Sequence, residues 1–226
     1  MAEIRFASVG HRFGNRIVLD GIDLTLTEHR IGIVGANGSG KSTLARMING
    51  LVTPTGGAVT LDGLDTTAKG REVRRRVGFV FTDPDNQIVM PTVAEDVAFS
   101  LRRSGLSKPE IAERVTASLR QFGLAEHADH PTHLLSGGQK QLLAIAAVLI
   151  TAPDVLVADE PTTLLDLRNA RMVNDLLTRL TQQVVLVTHH LALLTGFDRV
   201  VVLDAGRVVA DGNPAAALDA YTGLLA

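Results

Sequence analysis

Gly35-Ala36-Asn37-Gly38-Ser39-Gly40-Lys41-Ser42-Thr43 is the stretch on which the fold turns. It fits the pattern Gly-x-x-x-x-Gly-Lys-(Ser/Thr), follows an apolar run at residues 30–34 that reads as a buried strand, and opens a helix-like segment at residues 44–48. Glycines without Cβ let the main chain wrap a phosphate, so that successive N–H groups and the start of the helix point at negative charge. Lys41 is then expected to reach the terminal phosphates of a nucleotide, and the Ser42 hydroxyl to ligate Mg²⁺. Kinases, GTPases and ATPases share this loop, so it specifies phosphate binding without naming the enzyme.

Working outward, apolar runs recur at residues 77–81, 155–158 and 184–188. Most lack in/out alternation, which suits strands buried on both faces of a mainly parallel sheet flanked by helices. The first 27 residues alternate more, through Ile4, Phe6 and Ser8 and then Ile22, Leu24 and Leu26, and residues 57–62 join them. That pattern predicts a smaller sheet with one solvated face. Between residues 84 and 152 the period becomes helical: Val93, Val97, Leu101; Ile111, Val115, Leu119; Leu142, Ile145, Leu149. Ser107-Lys108-Pro109-Glu110 supplies a capping hydroxyl, an early proline and an acid, which predicts a helix starting near Lys108.

The 226 residues are 46% hydrophobic and 20% charged, which excludes a disordered or low-complexity chain. Lys plus Arg number 22 against 24 Asp plus Glu, a net charge of -2, so no global basic field favours nucleic acid as a partner. Cysteine is absent, which removes thiol catalysis and thiolate metal sites. The longest apolar run, residues 142–150, falls well short of the roughly 20 residues that span a bilayer as a helix.

Two further stretches carry chemistry. Val155-Leu156-Val157-Ala158-Asp159-Glu160-Pro161 is a buried-strand pattern ending in adjacent carboxylates. Side chains alternate along a strand and the chain turns at Pro161, so the two acids can do different jobs: Asp159 holding Mg²⁺ through water, Glu160 polarising an attacking water as general base. Leu135-Ser136-Gly137-Gly138-Gln139 precedes the helical pattern at residues 141–150, and sets a serine and two glycines at a helix start, a second anion-binding site in one chain.

With these three elements together the sequence resembles the nucleotide-binding subunit of ATP-binding-cassette (ABC) transporters, over nearly the whole chain. Residues 35–43 match the family's Walker A, 135–139 its LSGGQ signature, 155–160 its Walker B with Glu160 as catalytic residue, and Leu165-Asp166 its D-loop. His189 matches the switch histidine, and Phe13 falls where the family's adenine-stacking aromatic lies. The resemblance implies an α/β ABC ATPase fold: a P-loop NTPase (RecA-like) core with a mainly parallel sheet, an N-terminal antiparallel β subdomain and an inserted α-helical subdomain. Residues 1–226 form one such domain, with core and β subdomain at 1–84 and 152–226 and the helical subdomain at 85–151.

It further implies a head-to-tail dimer, with a second ATPase subunit that is either identical or a related cassette. Each ATP is then held by one chain's Asn37, Gly38, Ser39, Gly40, Lys41, Ser42 and Thr43 and by the other's Ser136, Gly137, Gly138 and Gln139, with Asp166 beside it. Asp83-Pro84-Asp85-Asn86-Gln87 and Pro91-Thr92-Val93-Ala94-Glu95-Asp96-Val97-Ala98-Phe99 are similar to the energy-coupling-factor branch, importers of vitamins and transition-metal ions. In that branch Gln87 begins the surface that receives the membrane coupling subunit, which works beside a substrate-binding membrane subunit. The resemblance puts the chain at the cytoplasmic face of the cell membrane, with biotin or cobalt as the favoured cargo.

Three positions depart from the family pattern. Thr82 stands where the Q-loop glutamine is usual, and its shorter hydroxyl is expected to reach Mg²⁺ through water. Leu142 replaces an arginine common after the signature, and His190 follows the switch histidine where an acid is usual. The stretch after His189 is expected to hold the last strands and a helix without an added regulatory domain. His127, His130 and His133 recur every three residues, but Pro131 breaks any helix that would align them, and they read as a solvated loop. Arg71, Arg74, Arg75 and Arg76 read as a solvated rim before the next strand.

Overall fold

The computed structural model describes residues 1–224. In chain order its regular elements are β1 (Ile4–Phe13), β2 (Arg16–Leu26), β3 (Arg30–Gly35), α1 (Lys41–Ile48), β4 (Gly56–Leu61), β5 (Leu64–Asp65), α2 (Gly70–Arg76), β6 (Val77–Val80), α3 (Val93–Ser100), α4 (Lys108–Gln121), α5 (Gly137–Leu149), β7 (Val155–Asp159), α6 (Leu167–Arg179), β8 (Gln183–Val187), β9 (Arg199–Asp204), β10 (Arg207–Gly212) and α7 (Pro214–Leu224). They fall into two compact units. The first comprises residues 1–79, 154–160 and those from 180 on; the second comprises 80–153 and 161–179.

The first unit holds two sheets. In one, β2, β1, β4 and β5 lie side by side and antiparallel. The other has the order β10-β9-β3-β8-β7-β6, with β9, β3, β8 and β7 parallel and β10 turned back on β9. Burial follows the sequence pattern. All residues of β3, β7 and β8 are buried, as two-sided cover requires, whereas along β2 the inward Leu19, Ile22, Leu24 and Leu26 alternate with exposed neighbours. Helix α1 packs on β3, β7 and β8 and also touches β4, so Leu44, Ala45, Met47 and Ile48 are buried. The registers Ile33↔Val187 and Asp159↔Val187 bring the carboxyl ends of β3, β8 and β7 to one edge, the usual ligand-binding edge of a parallel α/β sheet.

The second unit is helical. Ser107 and Glu110 form the capping box of α4, Glu110 Oε2 accepting the Ser107 N–H at 2.8 Å and its hydroxyl at 2.6 Å, a device worth about 1 kcal/mol. The helix begins at Lys108, as its sequence predicts. Thr92 and Glu95 repeat the box at α3. Helix α5 packs against α3 and α6, and its buried residues include Leu142, Leu143, Ala144, Ile145 and Ala146. Leu142, placed where an arginine is common, therefore serves as core.

Candidate nucleotide site

The phosphate loop leaves β3 at Gly35 and re-enters helix at Lys41. Gly40, the residue before α1, takes φ 102, and a Cβ there would stand 2.8 Å from the Val18 carbonyl oxygen; both facts demand glycine. The Ser39 N–H donates to the Ala36 carbonyl at 3.1 Å, and the Gly206 N–H to the Ser39 carbonyl at 3.2 Å, which ties the loop to the β9–β10 turn. Ala36, Asn37 and Gly38 are exposed at the crest, while Ser39 is buried and its Oγ finds no partner among the described residues. The Lys41 ammonium is buried and donates to the carbonyls of Gly35 and Ala36 at 2.8 and 3.0 Å. Burial pulls its pKa down, against the opposing pull of Glu160 and Asp159. A buried cation and an orphaned hydroxyl beneath an exposed loop crest are what an anionic polyphosphate satisfies.

Asp159 ends β7 with its side chain inside. Its Oδ1 accepts the Ser42 hydroxyl at 2.8 Å and its Oδ2 faces Arg46 Nη2 at 3.3 Å. Burial pushes its carboxyl up from the usual carboxylate value, while Ser42 and Arg46 pull it down. Arg46 was not legible as a partner; the only signal is its place four residues beyond Ser42, on the same face of α1. Hydroxyl and carboxylate oxygens meeting at this point are the hard donors that Mg²⁺ takes, and the donor set fits that ion. Among the described residues no group of three or more His, Asp or Glu forms a separate metal cluster.

Glu160 leaves the strand in the left-handed region, at φ 52, with its N–H donating to the Val187 carbonyl at 2.9 Å. A non-glycine residue in that region stores about 1–3 kcal/mol of strain. The kink turns Glu160 away from Asp159: its Oε2 accepts from His189 Nδ1 at 2.7 Å, across 29 residues of sequence. Carboxylate and imidazole thus meet just beyond the ends of two adjacent parallel strands. A carboxylate held this way can accept a proton from water while the ring keeps it aimed. Phe13, at the end of β1, is exposed and meets the buried His11 edge to face at 4.6 Å. The first unit therefore brings together Lys41, Ser42, Asp159, Glu160 and His189, with Phe13 presented on its antiparallel sheet.

The second unit carries the other sequence-expected residues. Ser136 is the N-cap of α5: its Oγ accepts the Gln139 N–H at 3.3 Å, and Gln139 Oε1 accepts the Ser136 N–H at 2.9 Å. A Cβ on Gly138 would stand 2.7 Å from Asn169 Oδ1, so a larger residue there would displace the Asn169 side chain. Asn169 in turn donates from its N–H and Nδ2 to the two Asp166 oxygens, at 2.8 and 2.9 Å. The loop acid Asp166 is thereby joined to the start of α5, a link no local pattern announces. Just after β6, the Phe81 N–H donates to Gln87 Oε1 at 3.2 Å and Gln141 Nε2 to the Phe81 carbonyl at 3.4 Å, so two glutamines hold the main chain next to Thr82. His127 departs from the solvated-loop expectation: it is half-buried and its ring contacts Gln139.

Residues 19–163 match the family described as ABC transporter. The biotin transport ATP-binding protein BioM of Rhizobium etli is 46% identical over 218 residues, covering 96% of this chain and 97% of that protein. The energy-coupling factor transporter ATP-binding protein EcfA1 of Symbiobacterium thermophilum is 46% identical over 206 residues, 88% of this chain and 72% of the relative. Among solved structures, CbiO1 from Clostridium perfringens, part of the ABC transporter complex CbiONQ, superposes with a TM-score of 0.84 at 32% identity, over 98% of this chain and 92% of its own.

Proposed function

The chain belongs to the ABC transporter family, as an ATP-binding protein whose ATPase activity is coupled to transport, and on that premise we propose that it powers an energy-coupling-factor importer whose cargo is biotin. The observation that carries the reading is the presence in one chain of two helix starts suited to an anion, the Lys41 loop backed by Ser42 and Asp159, and the Ser136-capped start of α5. Two such sites in one chain suit a head-to-tail pair of chains in which each nucleotide lies between a loop from one and a signature from the other. The similarity to BioM favours biotin over the cobalt cargo also considered.

In this reading Asn37, Gly38, Ser39, Gly40 and Thr43 wrap the phosphates with main-chain N–H groups, and Lys41 neutralises the terminal charge. Ser42 and Asp159 hold Mg²⁺, with Thr82 as a further contact. Mg²⁺, when bound, supplies neutralisation of the charge on the phosphates. Glu160 takes the proton of the attacking water, His189 orients Glu160 and contacts the γ-phosphate, and Phe13 stacks on adenine. Ser136, Gly137, Gly138, Gln139 and Asp166 complete the site of the second subunit, identical or a related cassette. Among the described residues no helix is long and apolar enough to cross a membrane. The importer reading itself sets the chain at the cytoplasmic membrane face, beside a coupling subunit and a substrate-binding subunit.

Two measurements test this. Tagged chain drawn from solubilised membranes is expected to bring down integral membrane proteins, and cells lacking it to lose biotin accumulation until it is restored. Accumulation of cobalt instead replaces the cargo and keeps the importer; capture of no membrane protein sinks the importer. Thr82→Ala is expected to raise the Mg²⁺ concentration needed for hydrolysis severalfold, read from rate against Mg²⁺ at fixed ATP. An unchanged curve removes Thr82 from the metal site.

A further inference from the structure

The loop leading into α5 carries an imidazole pair that takes no part in the chemistry above. His127 ends the short 3-10 turn Ala125–His127, and the His130 N–H donates to the His127 carbonyl at 2.9 Å. The rings meet edge to face at 5.0 Å with their Nδ1 atoms 2.9 Å apart. On its far side His127 Nε2 stands 2.9 Å from Gln139 Nε2. Gln139 Oε1 is already occupied by the Ser136 N–H.

One proton arrangement satisfies all of these contacts. An amide nitrogen only donates, so the Gln139 Nε2–H group makes His127 Nε2 the acceptor. A neutral imidazole with a bare Nε2 carries its proton on Nδ1, which donates to His130 Nδ1; His130 then keeps its own proton on Nε2. Flipping the Gln139 amide would set two donors face to face at the Ser136 N–H. A proton added to either ring has a similar effect: on His127 it opposes the Gln139 amide, and on His130 it opposes His127 Nδ1–H.

Among the described residues no charged side chain hydrogen-bonds either ring. The loop is fixed to α3 by Val93 N–H on the His130 carbonyl at 3.2 Å and Ala94 N–H on the Ala128 carbonyl at 2.9 Å. On α3, Glu95 accepts from Thr92 and Asp96 accepts the N–H groups of Val89 and Met90. On α5, Lys140 pairs with Asp85 at 2.7 Å. Arg120 near the end of α4, and Glu126, Asp129 and His133 in the loop, are not buried.

We propose that His127 is a positioning residue for the signature: neutral and oriented by His130, it holds the Gln139 amide so that the start of α5 is presented in register to the nucleotide on a second copy of this chain. The inference rests on the two-chain reading given under Proposed function. Its consequence is that closure of the pair is sensitive to protons, while nucleotide binding by the separate chain, through the Lys41 loop, is not governed by this contact.

The test uses the full chain carrying Glu160→Gln, so that hydrolysis does not reverse closure, and reads the dimer dissociation constant with Mg-ATP by light scattering. His127→Phe keeps the ring volume without the acceptor and is expected to weaken dimerisation about tenfold or more at pH 8, the loss of a hydrogen bond at each site. Affinity for a fluorescent ATP analogue, measured on dilute monomer, is expected to stay unchanged. The parent is expected to lose dimerisation as the pH falls from 8, because a proton added to either ring opposes a donor already in place. His127→Gln, with an acceptor oxygen that does not titrate, is expected to dimerise at pH 8 and to show a flatter profile. Parent-like dimerisation and pH dependence in His127→Phe overturn the inference and leave the two-chain reading intact. If His127→Phe does not fold, a His127→Gln profile as steep as the parent's overturns it. A parent that stays monomeric overturns the two-chain reading and the inference with it.

Discussion

Glu160→Gln is expected to bind ATP as tightly as the parent, to lose hydrolysis by about a hundredfold or more, and to collect as a closed pair of chains. The amide keeps the volume of the carboxylate and one oxygen for the 2.7 Å contact with His189 Nδ1, so the local structure survives. What disappears is the proton acceptor. General-base catalysis contributes about 10²–10⁴-fold, and because the Lys41 carbonyl contacts and the Ser42–Asp159 hydrogen bond do not depend on the Glu160 proton acceptor, ground-state binding is expected to change little. Binding by calorimetry, phosphate release and sedimentation on one preparation separate the three effects. Turnover near the parent's rate would remove Glu160 from the chemistry and return the role to another group. A tenfold weaker ATP affinity would instead assign it to binding.

Lys41→Ala is expected to act on the other side of that divide, lowering ATP affinity roughly ten- to a hundredfold, the worth of a charge-assisted hydrogen bond removed without replacement. The reasoning starts from burial. A buried ammonium whose pKa is pulled down by desolvation is costly to keep, and its hydrogen-bond acceptors are the carbonyl oxygens of Gly35 and Ala36, which carry no net charge. Asp159 and Glu160 act on it through space, and no carboxylate takes its hydrogen bonds, so its N–H donors can turn to an anionic ligand. Removing it should leave the melting temperature of the ligand-free chain the same or higher, which distinguishes lost binding from lost folding. Calorimetric titration with Mg-ATP, paired with thermal denaturation, reads both. An unaltered affinity would show that the main-chain N–H groups of residues 37–43 suffice, and a lowered melting point would make Lys41 structural.

Lys41 and Ser42 act through local geometry: the loop, its glycines and the helix start lie within nine consecutive residues, and the chemistry follows from their order. The fully apolar runs at β3, β7 and β8 are equally plain in the sequence, because a strand covered on both faces has no reason to alternate. The capping boxes at Ser107 and Ser136 belong to the same class, since each joins residues three apart. Asp159 and Glu160 are legible as adjacent acids that face different partners, but the cause differs from simple strand alternation. Glu160 has already left the strand, and the left-handed backbone there, rather than the pleat, turns it toward His189.

By itself, then, the chain's order of residues determined an α/β core with a glycine-rich loop between strand and helix, a helical segment behind a capped serine, and the set of residues proposed to meet the nucleotide. Tertiary structure alone decided who meets whom: Arg46 on Asp159, His189 on Glu160, Asn169 between Gly138 and Asp166, and His127 on Gln139. It also decided that β9 lies between β3 and β10, and that α6 packs with α5. The physical reason is range. Caps, turns and periodicity are set by interactions over a few residues, whereas parallel strands and packed helices join segments far apart in the chain, and which partners they choose depends on the burial of the whole core at once.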